Sequence, residues 1–283
     1  MACSSRWWTS PRRIWLSPGS PIRSARCWRR SRSVTCSRCA ATAGVSPGST
    51  WRTWKPRPRA GLEKVGFVED ADIRVVDDVV AAAYDLFVEA APRTVLLTGG
   101  GTPKALFERL TGAGLPWEDM EFFLSDERCV PPSDERSNVR MAHETLLDRV
   151  PTKAYDIDGA ACDAQGYERA LRERFGDAPR FDLALYGMGP DGHTASLFPG
   201  HPEVKERQRW VVRIPEAGWT PYVPRVSLTV PVLSAAKVGL YLIEGEDKRG
   251  AWWRLTHGDD IPAALMTPDR LIVLVNRAAA GQT

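Results

Sequence analysis

Asp191 and His193 stand two residues apart in the loop Gly187-Met188-Gly189-Pro190-Asp191-Gly192-His193-Thr194-Ala195-Ser196-Leu197-Phe198-Pro199-Gly200, which holds four glycines and two prolines. An imidazole titrates near pH ~6.5 and exchanges protons at neutral pH. With one carboxylate beside it, the pair suggests acid–base chemistry on a small polar ligand. Gly187, Gly189 and Gly192 would allow positive φ and a close approach of backbone N–H groups to that ligand. The same residues also make an ordinary turn, and a lone loop histidine is often only a surface residue, so the surrounding chain has to decide.

A second stretch, Thr98-Gly99-Gly100-Gly101-Thr102-Pro103-Lys104, has the composition of an anion cradle. Three glycines precede a hydroxyl and a proline suited to a first helical turn. Backbone N–H groups and the dipole at such a helix start favour a phosphate. The stretch is neither a Walker loop nor a dinucleotide fingerprint, so no nucleotide is implied. Ser125-Asp126-Glu127-Arg128 and Glu244-Gly245-Glu246-Asp247-Lys248 bring further charge to the ends of apolar runs. An Arg fork there suits phosphate.

The elements that must position these residues alternate. Apolar runs at Ile73–Val76, Thr94–Leu97, Glu121–Leu124, Leu183–Tyr186, Trp210–Ile214, Arg225–Thr229, Val238–Ile243 and Leu271–Val275 read as strands. Helical periodicity follows Asp77 or Asp78, runs on from Pro103, covers Val139–Arg149 and Asp163–Phe175, and returns briefly at Pro231–Ala236 and after Lys248. Strand–helix alternation predicts an α/β fold with a doubly wound, mostly parallel sheet. The strand-then-glycine junctions fall at carboxyl ends of strands, where such sheets bind ligands.

A length of 283 residues suits one large domain or two small ones. The near balance of 38 basic and 35 acidic side chains hides two kinds of sequence. Residues 1–60 carry Lys55 and twelve arginines with no acid, six of the eleven Trp and four of the six Cys. The remainder carries 25 basic and 35 acidic side chains, a formal charge of −10. Arg- and Ser-rich, acid-free sequence fits a transit peptide, although the Trp and Cys content fits it poorly. A nucleic-acid arm would combine Arg with aromatics in the same way, but no DNA-binding pattern accompanies it. Cys36-Ser37-Arg38-Cys39 has neither a second pair nor a nearby His, so no metal site is expected. Residues 1–60 are therefore expected to be disordered and extraneous, read from a mistaken start or in a wrong frame, with the working domain at 61–283. No run of about 20 apolar residues suggests a membrane span. Only Cys129 and Cys162 remain in the body, which argues against a disulfide framework and for a reducing, cytoplasmic compartment.

Four blocks together resemble the 6-phosphogluconolactonase family: Thr98 to Pro103; Ser125 to Arg128 with Pro131 and Ser137-Asn138; Gly187 to Gly200; and Gly245 with Lys248. The third block is the most specific, and the resemblance spans roughly residues 66–277. Gly101 departs from it, standing where many members carry Ser, so one hydroxyl is missing. The resemblance implies a three-layer α/β/α, Rossmann-like fold shared with amino-sugar-phosphate isomerase/deaminases. It implies hydrolysis of 6-phosphogluconolactone to 6-phosphogluconate, in the oxidative pentose phosphate pathway, without metal or cofactor. The partner would be the sugar-phosphate lactone, with no nucleic acid or membrane, and the chain a monomer or small homo-oligomer.

Lactone hydrolysis needs a base for water, donors for the oxyanion and an acid for the leaving oxygen. His193 would be the base and then the acid, and Asp191 would orient it or a substrate hydroxyl. Phosphate would rest on the backbone of Gly100, Gly101 and Thr102, with Arg128, Lys248 and, more weakly, Arg225 as counter-charges. Asp126 and Asn138 would hold sugar hydroxyls or shape the pocket. Two alternatives stand beside this. A deaminase of the same fold would continue the histidine loop with Asn-Glu, where this chain has Leu197-Phe198. A non-enzymatic sugar-phosphate sensor would have no need of His193.

Overall fold

The computed structural model describes residues 71–282 and the backbone of Arg52–Thr53. That dipeptide lies inside the segment expected to be extraneous and forms an edge strand. The rest of residues 1–60, with the expectation of disorder, lies outside the described residues, as does the domain start at residue 61.

The strands are β1 (Arg52–Thr53), β2 (Asp72–Val76), β3 (Thr94–Leu97), β4 (Glu121–Leu124), β5 (Asp126–Arg128) and β6 (Lys153–Tyr155), then β7 (Phe181–Tyr186), β8 (Val211–Ile214), β9 (Arg225–Leu228), β10 (Ala236–Ile243) and β11 (Arg270–Asn276). The helices are α1 (Val79–Ala90), α2 (Gly101–Leu110), α3 (Asn138–Thr145), α4 (Ala164–Phe175), α5 (Val230–Leu233), α6 (Arg249–Thr256) and α7 (Arg277–Ala280). The main sheet runs β1-β2-β11-β10-β7-β3-β4-β6. Every neighbour pair in it is parallel except β1 with β2. Strands such as β3 and β10 are near-continuous apolar runs because helices cover both faces of a parallel sheet. The result is the expected mostly parallel α/β/α arrangement.

Local chemistry sets the helix starts. Asp78 accepts from the Ala81 N–H at 2.8 Å, Ser137 from that of Arg140 at 3.0 Å and Asp163 from that of Gly166 at 2.8 Å. A short polar side chain satisfies an otherwise unpaired N–H at each of these ends. The sheet interior is closed by aromatic packing, with Phe123 stacked on Tyr155 at 4.5 Å and edge-on to Phe181 at 5.4 Å.

Two expectations need correction. The runs at 211–214 and 225–228 do not join the parallel sheet but pair antiparallel in a separate sheet, β5-β9-β8. The segment between β8 and β9 holds Pro215, Pro221 and Pro224 and forms no helix, whereas a parallel crossover needs a dozen or more residues, usually helical. Cys129 and Cys162 are joined in a disulfide, with Cα atoms 4.9 Å apart. Their 33-residue separation concealed that the end of β5 and the turn before α4 converge. At that junction a Cβ on Gly159 would come within 2.6 Å of the Arg128 carbonyl oxygen.

Candidate active site

β3 and β7 lie side by side, with Val95 opposite Leu183 and Leu96 opposite Ala184. The chain leaves β3 for β4 on one side of this pair and leaves β7, by way of the side sheet, for β10 on the other. The crevice outside the carboxyl ends of two such strands is the ligand-binding position of open α/β sheets. Here it is a cleft of about 250 Å³, lined from one side by Gly99 to Pro103 and from the other by residues of the Gly187–Gly200 loop.

On the β3 side, Gly100 has φ 118°, a conformation open to glycine and strained for other residues. It turns the chain straight from strand into α2. No side chain caps α2, so the positive end of its dipole and its first N–H groups belong to the cleft its residues line. The hydroxyl of Thr102 donates to Glu244 Oε2 at 3.0 Å.

On the β7 side, His193 Nδ1 lies 2.5 Å from Asp191 Oδ1, and the His193 N–H donates to the same oxygen at 3.1 Å. Asp191 stands behind His193 rather than in the lining. Burial works to raise the Asp191 carboxyl, but its hydrogen bonds to His193 and the imidazole charge outweigh that and hold it below the ordinary carboxylate value. The loop is tied down from outside and across itself. Arg254 donates to the Asp191 carbonyl at 2.9 Å, the Ala263 N–H to that of Gly192 at 3.1 Å, and the Thr194 hydroxyl to that of Gly187 at 2.9 Å. Phe198 packs against the imidazole with ring centroids 4.9 Å apart. Of Gly187, Gly189 and Gly192, only Gly192 uses positive φ, at 90°. Gly189 is required for another reason: a Cβ there would collide with the His193 ring.

The third wall comes from the side sheet. The chain leaves β4 at Ser125, whose carbonyl accepts from the Leu228 N–H at 2.9 Å, and β5 then runs against β9 with Asp126 opposite Ser227 and Arg128 opposite Arg225. Asp126 is 5% exposed and accepts from the Ser125 and Ser196 hydroxyls at 2.9 and 2.6 Å. Its carboxylate thus fastens the histidine loop to the side sheet. Asn138 donates to the Asp126 carbonyl at 3.1 Å. Arg225 donates to the carbonyls of Pro221 at 2.7 Å and Val223 at 3.2 Å, and burial lowers its pKa to about 10, so it stays charged at neutral pH. Arg128 donates through Nη1 to the Arg136 carbonyl, while its Nε is buried with no hydrogen-bond partner among the described residues. Lys248 reaches the cleft from the turn after β10, with Nζ 2.9 Å from Asp247 Oδ2.

Residues 69–275 match the family model of glucosamine-6-phosphate isomerases/6-phosphogluconolactonase. The chain belongs to that family. It is 33% identical to a 6-phosphogluconolactonase of Nostoc sp. over 220 residues, covering 72% of this chain and 90% of that protein. Against a 6-phosphogluconolactonase of Synechocystis sp. the identity is 38% over 177 residues, covering 58% and 71%. The crystal structure of a 6-phosphogluconolactonase from Thermotoga maritima superposes with a TM-score of 0.67 at 30% identity, covering 73% of this chain and 99% of that one.

Within this family fold, one cleft gathers Gly100, Gly101, Thr102, Asp126, Arg128, Asn138, His193, Arg225 and Lys248, all residues the sequence singles out, with Asp191 directly behind. Four residues that serve the cleft were given no role of their own by sequence reasoning. Glu244 lines the cleft and holds Thr102. Trp219 and Thr220 form part of its rim from the loop between β8 and β9. Glu127, 1% exposed, accepts from the Arg128, Asn138 and Val139 N–H groups and the Ser137 hydroxyl, at 2.6 to 2.8 Å. Burial raises its pKa against those hydrogen bonds. The only local signal for Glu127 was an acid between two residues already suspected of serving the site.

Proposed function

We propose that this cleft hydrolyses 6-phospho-D-glucono-1,5-lactone to 6-phosphogluconate, the second step of the oxidative pentose phosphate pathway. The observation that carries the reading is the Asp191–His193 pair at one side of a cleft whose other side is an uncapped helix start flanked by Arg128 and Lys248. Asp191 accepts a hydrogen bond from Nδ1–H of His193, and that tautomer leaves Nε2 as the base. Water attacks the lactone carbonyl carbon and gives its proton to Nε2. As the tetrahedral intermediate collapses, the bond from that carbon to the ring oxygen breaks and Nε2 returns the proton to this oxygen. The phosphate rests on the N–H groups of Gly100, Gly101 and Thr102 with Arg128 and Lys248 beside it, and the buried Arg128 Nε supplies a further donor. Asp126, Asn138 and Arg225 hold the walls in register. The working unit is residues 61–283, acting in the cytoplasm without metal or cofactor, as a monomer or small homo-oligomer.

The test is lactone hydrolysis by the full chain, measured above the spontaneous rate, beside ammonia release from glucosamine 6-phosphate. Hydrolysis without ammonia is the expected result. Ammonia release would transfer the reading to the deaminase, and binding of sugar phosphates with neither reaction would transfer it to a sensor. A shortened chain of residues 61–283 is expected to match the full chain.

A further inference from the structure

A carboxylate is out of place in a seat for a dianion, yet Glu244 lines the same cleft as Arg128, Lys248 and the first turn of α2. Its position is fixed at the end of β10, one residue before Gly245, whose φ of 104° turns the chain away. Its contact has a definite proton count. The Thr102 hydroxyl has one hydrogen, and that hydrogen is directed to Glu244 Oε2 at 3.0 Å. Gly101, the neighbour of Thr102 at the start of α2, has no hydroxyl at all. Among the described residues Lys248 pairs with Asp247 and no basic side chain pairs with Glu244. The seat therefore brings backbone N–H groups, two cations and a carboxyl acceptor with unfilled lone pairs into one cleft.

We propose that Glu244 sets the protonation state of the phosphate this cleft accepts, and this rests on the reading of the cleft as a sugar-phosphate site. A phosphate monoester loses its second proton near pH ~6. The monoanion carries one P–O–H, which donates to the Glu244 carboxylate while its other oxygens take the N–H groups, Arg128 and Lys248. The dianion has no hydrogen for Glu244 and meets a like charge. The cleft thus binds the monoanion more tightly and releases the dianion, the dominant form of the phosphorylated product at neutral pH. The other charged groups facing the cleft are Asp126, Arg225 and His193, with Asp191 behind the last. Histidine is the side-chain type that changes charge between pH 5 and 8, and a protonated imidazole also favours an anion. The role of Glu244 is therefore read as the difference between wild type and Glu244→Gln, in which His193 is unchanged.

The experiment is calorimetric binding of 6-phosphogluconate to the full chain, wild type and Glu244→Gln, from pH 5.5 to 8. Wild-type affinity is expected to fall as pH rises through the second phosphate ionisation. Glu244→Gln should bind at least about fivefold more tightly than wild type at pH 8 and show a shallower slope. If Glu244→Gln binds no tighter at pH 8, or keeps the wild-type slope, the proposal is overturned and His193 carries the pH dependence. If neither protein binds at any pH while both melt cooperatively, the sugar-phosphate reading falls and this proposal falls with it.

Discussion

A single imidazole and the carboxylate behind it concentrate the chemistry of the cleft, and their separation of 2.5 Å is set by a two-residue spacing across Gly192. His193→Ala is expected to lower kcat by at least ~10²-fold with little change in KM, the scale of general-base loss. An unchanged kcat in steady-state assays would remove His193 from the base role. Gly189 is the less obvious partner. Since a Cβ on it would collide with the imidazole, Gly189→Ala should displace the ring and reduce kcat while the protein melts near the wild-type temperature. If activity is retained, the ring has room to move and its position is not critical. These effects were legible in the sequence only in part. The glycine-rich loop announces close approach, but the object of that approach at Gly189 is a side chain four residues onward, visible only once the loop has folded back on itself.

At the scale of elements, the cleft depends on how β5 and α3 are joined. Glu127 collects four donors from the two segments, and Asn138 and Arg128 reach the cleft from its immediate neighbours. A glutamine amide keeps one oxygen and puts an NH2 donor in place of the other, so Glu127→Gln leaves buried donors unmatched. Each such group costs about 1–3 kcal/mol. The expected outcome is a lowered melting temperature together with a raised KM, because Arg128 and Asn138 lose their common anchor. A variant with wild-type melting and KM would show that backbone geometry alone holds the junction. Asp182 does comparable service inside the main sheet, accepting from the Arg93 and Thr94 N–H groups and pairing with Lys237 at 2.7 Å, and so joins β7 to β3 and β10.

For the molecule as a whole, two measurable consequences follow from charge and covalent linkage. Asp72, Asp182 and Asp191 all have carboxyls held below the ordinary value of 3.8. For such groups stability is present above the unfolded value and is lost as pH falls through the lowered one. Glu127, raised by burial, acts in the opposite sense and offsets part of that loss as it takes up a proton. Urea midpoints are expected to fall below about pH 4 as these aspartates take up protons. A midpoint that still rises below about pH 4 would mean that buried Glu127 outweighs the three aspartates. The disulfide closes a loop of 33 residues, for which chain entropy predicts a contribution of about 3–4 kcal/mol. Unreduced digests should contain a Cys129–Cys162 linked peptide, and reduction should lower the melting temperature. Recovery of both cysteines as free thiols would exclude the bond in the purified protein.

The sequence by itself determined the alternation of strand and helix, the places where glycine interrupts it, and the family resemblance carried by the Asp191–His193 loop. These features are local: hydrophobic periodicity, capping and turn chemistry act over a few residues. Tertiary structure decided the rest. It placed 211–214 and 225–228 in a side sheet, because a proline-broken connection without a helix cannot return a strand in parallel. It bonded Ser196 to Asp126 across 70 residues and Thr102 to Glu244 across 142. It also joined Cys129 to Cys162 across 33 residues. Such partners are chosen by which strand ends meet at the switch between β3 and β7, and sheet order is a property of the whole chain.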